Sequence, residues 1–161
     1  MTNQCNVSDD TIFHLHWCYF MEDMTSTFYF RIDKLCIFMQ LLLGSAVIGN
    51  IMNTTLIGLT IAIIAAYQFS CNPAKIANSA KQQALSYSGL IHDINNHDDV
   101  SIRENMKSLE PKDSPILLSI RKASYIQSAV ATGNMNTADA KLKKLNLFNR
   151  MIISLAGGIQ H

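Results

Sequence analysis

The chain has 161 residues, 48% hydrophobic and 16% charged, with a formal net charge of +1 at neutral pH. Such averages describe an ordinary globular domain and lack the density of basic residues that a nucleic-acid groove requires. They conceal a segregation: residues 1–34 carry two basic and five acidic side chains, residues 35–74 carry none, and residues 75–161 carry eleven basic and seven acidic.

Ser8-Asp9-Asp10 predicts a helix start, because the serine hydroxyl can cap free N–H groups and the carboxylates favour the positive end of the helix dipole. The expected helix runs from about Asp9 to Ser26. It is rich in aromatics (Phe13, Trp17, Tyr19 and Phe20), and a second cluster, Phe28-Tyr29-Phe30, adjoins Arg31. Such rings suit either a membrane interface or packing against the rest of the chain, and both readings stay open. His14-Leu15-His16-Trp17-Cys18 contains zinc-ligand types, but His14 and His16 point to different faces of a helix and no second ligand pair stands at matching distance. No metal site is expected.

The uncharged stretch from Leu35 to Ala74 divides into two apolar runs, about 35–52 and 54–71, which meet at Asn50-Ile51-Met52-Asn53. Eighteen helical residues measure about 27 Å, close to the hydrocarbon thickness of a bilayer. The expectation is a two-helix transmembrane hairpin. Arg31 and Lys34 precede the first run, Lys75 and Lys81 follow the second, and the tip has neither Lys nor Arg. The positive-inside rule then places both termini of a multi-pass protein in the cytoplasm. No cleavable signal peptide is expected, and the first span acts as the insertion signal. The cysteines, Cys5, Cys18, Cys36 and Cys71, are expected to stay reduced, with Cys36 and Cys71 at nearly the same depth.

Ser45 and Gly49 in the first run, and Thr54, Gly58, Ala62, Ala66 and Ser70 in the second, recur at four-residue spacing. Small residues on one face let helices approach closely, so this stripe reads as an association face. It could meet the other span, another subunit or a pore, and packing on the other span is the default. Gln40 and Gln68 are the long polar side chains within the runs and read as packing or hydrogen-bonding groups.

Pro73 marks a kink or a new start. From Lys75 a helix is expected with a seam of Ile76, Ala80, Ala84, Tyr87, Ile91 and Ile94. His92 to Asp99 reads as a polar loop, and its acids and histidines lack calcium-loop spacing. Helices follow over about Val100 to Leu109 and Pro115 to Ala131, the latter with Ile116, Ile120, Tyr125 and Val130 on one side. The last, from about Thr137, is amphipathic and basic, with Leu142, Leu145, Phe148, Ile152 and Leu155 opposite Lys141, Lys143 and Lys144. The fold class is thus an all-α integral membrane protein with a cytoplasmic helical head (1–34), the hairpin (35–72) and a cytoplasmic helical domain (73–161).

No phosphate loop, nucleophile elbow, zincin motif or paired zinc-ligand motif is present, so no enzyme and no cofactor is expected. The helical head, the entry Arg31-Ile32-Asp33-Lys34-Leu35, the two spans and the long helix with Ala77, Ala80, Lys81, Ala84 and Tyr87 resemble the SLATT two-span proteins, bacterial proteins of anti-phage conflict systems. Size and layout are also similar to prophage superinfection exclusion proteins of the exclusion protein A type from P22-type phages. The second resemblance implies a protein that blocks entry of incoming phage DNA. The first implies a pore-forming anti-phage effector, and a non-enzymatic scaffold is the reading from a different class. Implied partners are the lipid bilayer, phage ejection proteins or a host inner-membrane protein, and further copies of the chain.

Overall fold

The computed structural model describes residues 7–48, 54–135, 138, 141 and 146–158, with the backbone alone at Phe148. Among these residues the secondary structure is entirely helical. The helices are α1 (Asp9–Ile48), α2 (Thr54–Cys71), α3 (Pro73–His92), α4 (Asp99–Leu109), α5 (Leu118–Ala131) and α6 (Leu147–Leu155), with short 3-10 turns at Ile94–Asn96 and Glu110–Lys112.

The first helix is the axis of the molecule. It runs unbroken for 40 residues, about 60 Å, and packs against each of α2 to α6. Ser8 caps it as expected: its hydroxyl accepts from the Thr11 N–H at 3.3 Å and its carbonyl accepts from the Ile12 N–H at 3.0 Å. The expected end at Ser26 is overturned. Thr25, Ser26 and Thr27 are weak helix formers, but Thr25 and Ser26 are buried in the bundle, and packing overrides intrinsic preference. The expected boundary between head and hairpin at residue 34 therefore falls inside a helix.

Around the first half of α1, the other helices form a base with three apolar clusters. Leu15 and Cys18 meet Tyr87 of α3 and Ile102 and Met106 of α4. Met24 meets Ile120 and Ala123 of α5 with Ile152, Ile153 and Ala156 around the end of α6. Ile126 and Ala129 close with Ala138, and Phe13 packs beside them. Aromatic residues of α1 thus pack on the rest of the chain: Phe13 and Trp17 lie edge-on to Tyr125 at 5.0 and 5.8 Å, and the Trp17 indole N–H donates to the Arg121 carbonyl at 3.4 Å.

The α3 seam is shifted from its expected line. Pro73, Ala77, Ala80, Gln83, Ala84 and Tyr87 are buried, whereas Ile76, Ile91 and Ile94 are half-buried. Small alanines bring α3 close to α1. At its start, Asn72 takes the left-handed conformation (φ 43°) and its side chain accepts from the Lys75 N–H, while Pro73 opens the new helix.

Two later boundaries also move. The fifth helix begins at Leu118 because residues 113–117 are not helical, with Asp113 and Leu117 extended: Pro115 disfavours a helical residue before it, and the Ser114 N–H is given to Glu22 at 2.8 Å. Its buried face is Ile120, Ala123, Ser124, Ile126, Gln127 and Ser128, with Tyr125 and Val130 only half-buried. Small polar residues mark this face because the Ser128 hydroxyl donates to the Phe13 carbonyl of α1 at 2.9 Å. The expected last helix is interrupted, since Asn146 is extended (ψ 158°) and α6 starts at Leu147. Leu142, Leu145, Lys143, Lys144 and the Phe148 side chain lie outside the described residues.

The α1–α3 seam gives a direct test. Ala80→Leu or Ala84→Leu should cost about 1–3 kcal/mol by overpacking, read as a lowered unfolding temperature of the full chain. Leu85→Ala on the exposed side of α3 should change it by less than about 0.5 kcal/mol.

Candidate functional site: an exposed apolar hairpin on a buried polar joint

Beyond residue 34, α1 loses the cover of the base and faces only α2. Leu35, Ile37, Phe38, Leu41 and Leu42 are exposed on α1, and Leu56, Leu59, Ile63 and Phe69 on α2, with Phe69 91% accessible. One helical segment among the described residues, Thr54–His92, contains a window long and apolar enough to cross a membrane, and only 6% of that window is buried. A core helix of a soluble protein would show the opposite burial. The first expected span, 35–52, extends past Ile48 to residues outside the description, where Gly49 and the tip at Asn50 to Asn53 also lie.

The side of each helix turned to the other carries half-buried Cys36, Gln40, Leu43 and Val47 on α1, and Ile57, Ile61, Ile64 and Gln68 on α2. Gln68 donates to Asp33 Oδ1 at 3.3 Å, which fixes the register. Cys36 stands three residues after Asp33 on α1 and Cys71 three residues after Gln68 on α2, so both thiols lie within one turn of that contact.

The small-residue stripe is not in this seam. Ser45, Thr54, Gly58, Ala62, Ala66 and Ser70 are all exposed, and a Cβ placed on Gly58 would meet nothing within 4 Å. Packing between the two helices is therefore carried by branched apolar residues, and the default role expected for the stripe is corrected. Hydroxyls on the uncovered surface turn inward to their own helix: Ser45 donates to the Leu42 carbonyl at 2.7 Å and Thr60 to the Leu56 carbonyl at 2.9 Å. Such internal satisfaction is what an apolar environment demands.

The basic residues divide by location. Arg31 donates to the Ser154 and Leu155 carbonyls at 2.8 and 3.2 Å and so caps α6, while the Lys34 ammonium lies 4.3 Å from the Phe30 ring centre. Lys81 pairs with Asp23 at 3.0 Å, about 15 Å along α3 from the end of α2. Lys75 stays at that end, and the fold brings Lys112 beside it in one cleft. Lys112 carries no sequence signal for this position, because the 3-10 turn that delivers it is set by contacts distant in sequence.

Those contacts form a polar joint beneath the hairpin. Glu22 is 1% exposed on α1; its Oε1 accepts from the Ser114 N–H, and its Oε2 has no hydrogen-bond partner of good geometry. Beside it, Asp113 Oδ1 accepts from Gln83 Nε2 at 2.9 Å and from the Tyr87 hydroxyl at 3.0 Å, and Gln83 also donates to the Leu109 carbonyl at 2.8 Å. Burial raises the Glu22 carboxyl above its ordinary range, with Ser114 opposing and Asp113 adding to the rise. Burial, then the charges of Asp113, Glu110 and Glu22, push the Cys18 thiol up to about 12. That thiol is a packing group and not a nucleophile.

The two histidine-containing stretches make the following contacts. His14 and His16 lie against Trp17 and Phe20. In the polar loop, Asp98 caps α4 through the Ser101 N–H at 3.2 Å. Asp99 accepts from the Ser8 N–H at 3.0 Å and pairs with Arg103 at 2.9 Å. Hydrogen bonds from Thr11 and Ser8, with the Arg103 charge, lower its carboxyl to about 2.

No protein-family model, curated protein or solved structure matches the chain.

Two outcomes follow from this geometry. The Gly58→Leu, Ala62→Leu double variant should leave the monomer's unfolding unchanged within about 0.5 kcal/mol, so any loss of a higher-order species on size exclusion reports a contact between copies. Glu22→Gln should remove a pH dependence. The folded state favours the protonated acid, so stability is fullest below the ordinary glutamate range and falls as pH rises through the raised value. The variant should unfold a few degrees higher than the parent at pH 8 and no higher at pH 4.

Proposed function

We propose that the chain is a two-span inner-membrane protein of the phage superinfection exclusion type, which blocks passage of incoming phage DNA across the cytoplasmic membrane. The observation that carries this reading is the uncovered apolar length of α2 and of the second half of α1, mounted on a base that encloses three apolar clusters. The chain's size and two-span layout, similar to those of exclusion proteins, supply the rest. In this reading both termini lie in the cytoplasm and the hairpin presents its tip and its lipid-facing surface to a phage ejection protein or a host membrane partner. Continuity of α1 through both parts couples any contact made in the membrane to the base.

A second reading, a SLATT-type pore-forming effector, is favoured by one specific observation. The stripe of Thr54, Gly58, Ala62, Ala66 and Ser70 is exposed and is free to meet further copies of the chain. A scaffold subunit is the third outcome of the same test.

Cells expressing the protein are infected at high multiplicity, and survival is scored beside entry of labelled phage DNA. Living cells without DNA entry are expected. Entry followed by depolarisation and death would replace exclusion by the pore reading, and normal phage growth across a broad panel would leave the scaffold.

A further inference from the structure

At the base end of α2 lies a cleft of about 330 Å³ whose lining includes Cys71, Asn72, Lys75, Ser79, Lys112 and Asp113. Its two ammonium groups come from positions 37 residues apart in the chain. Lys75 belongs to the first turn of α3. Lys112 ends the 3-10 turn, and that turn is pinned on both sides by the Gln83 bond to the Leu109 carbonyl and by the bonds of Gln83, Tyr87 and Glu22 to Asp113 and Ser114. The base thus spends buried polar bonds on holding a second cation beside the first.

Neither ammonium is neutralised. Lys81, Arg103, Arg31 and Lys34 have a carboxylate, carbonyl or aromatic partner. Among the described residues no carboxylate lies in ion-pair distance of Lys75 or Lys112. Asp113 borders the cleft but directs its Oδ1 to Gln83 and Tyr87. The N-terminal end of α3, with its positive dipole end, also faces this region. A cleft with two free cations, a hydroxyl at Ser79 and a dipole end is complementary to a phosphate monoanion or diester.

Location selects the source of that phosphate. The cleft starts at Cys71, the last residue of the apolar α2, and exposed Phe69 stands two residues away. A ligand seated there would have its phosphate on the lysines and any hydrocarbon beside the uncovered face of α2. We infer that this cleft binds the headgroup phosphate of an anionic phospholipid of the cytoplasmic leaflet, held between Lys75 and Lys112. The inference rests on the membrane reading proposed above. Bound lipid ties α3 and the 110–115 turn to the membrane surface and fixes the depth at which the base stands.

The test uses the full chain in phosphatidylcholine nanodiscs with and without phosphatidylglycerol, and native mass spectrometry to count retained lipid. Wild type should retain phosphatidylglycerol. Lys75→Gln with Lys112→Gln should weaken retention by about tenfold to thirtyfold, as expected from about 1 kcal/mol per basic residue near an anionic surface. Lys107→Gln with Lys122→Gln, which removes the same charge elsewhere on the base, should not. Lys75→Arg with Lys112→Arg should keep binding and shows that a loss in the glutamine pair is not misfolding. Equal losses in both glutamine pairs would overturn the inference in favour of diffuse attraction, and inorganic phosphate displacing the lipid at equal affinity would overturn the lipid source. Release of wild-type protein from membranes by alkaline carbonate would instead overturn the membrane reading itself.

Discussion

A helix is the one backbone form that meets all its own hydrogen bonds along its length, and α1 relies on this across two environments. Its first half is surrounded by protein and its second half is uncovered except by α2. Any break near residue 34 would leave backbone groups unpaired where the apolar surface begins. The hydroxyl-rich segment Thr25-Ser26-Thr27 would be a natural place for such a break, and its burial against the base prevents it. The rest of the structure follows from this one continuity: α3 and α5 dress the lower half, α4 and α6 close its ends, and α2 covers one side of the upper half.

The buried polar joint has the same dependence. Glu22 on α1 takes a backbone N–H from Ser114, an interaction that replaces a helical hydrogen bond for the residue preceding Pro115. An acid in this position costs desolvation, which the surrounding donors only partly offset. The return is positional. Residues 110–115 have little apolar surface of their own, and their placement comes from Glu22, Gln83 and Tyr87. Apolar packing supplies stability throughout the base, whereas these few polar contacts decide where one turn sits.

Much of the fold was legible in the sequence where a periodic pattern or a chemical stop was strong. Ser8-Asp9-Asp10, Pro73 and the expected end at Ala131 lie at helix ends that the structure shows, and the length of the uncharged stretch pointed to α2. Failures have a common cause. The end of the first helix, the start of α5 and its buried face were all decided by contacts distant in the chain, with Ala123 buried beside Met24 of α1 and Ser128 bonded to the Phe13 carbonyl. The stripe of small residues was legible as a pattern but not as to its partner, since four-residue spacing drifts around a helix by about 40° per step and does not track the Ile57-Ile61-Ile64-Gln68 face. Lys112 was invisible for a simpler reason: nothing in Glu110-Pro111-Lys112-Asp113 indicates which surface it will reach.

The junction at Asn72 makes the two legs of the hairpin mechanically unequal. One leg enters the base as an unbroken rod about 60 Å long. The other is interrupted by a single left-handed residue followed by proline, where φ 43° is tolerated by asparagine and glycine but strained for most side chains. The molecule is built as a mast with a jointed stay: one leg carries its helical hydrogen bonds into the base without a break, and the other resets its backbone at a single residue before joining it.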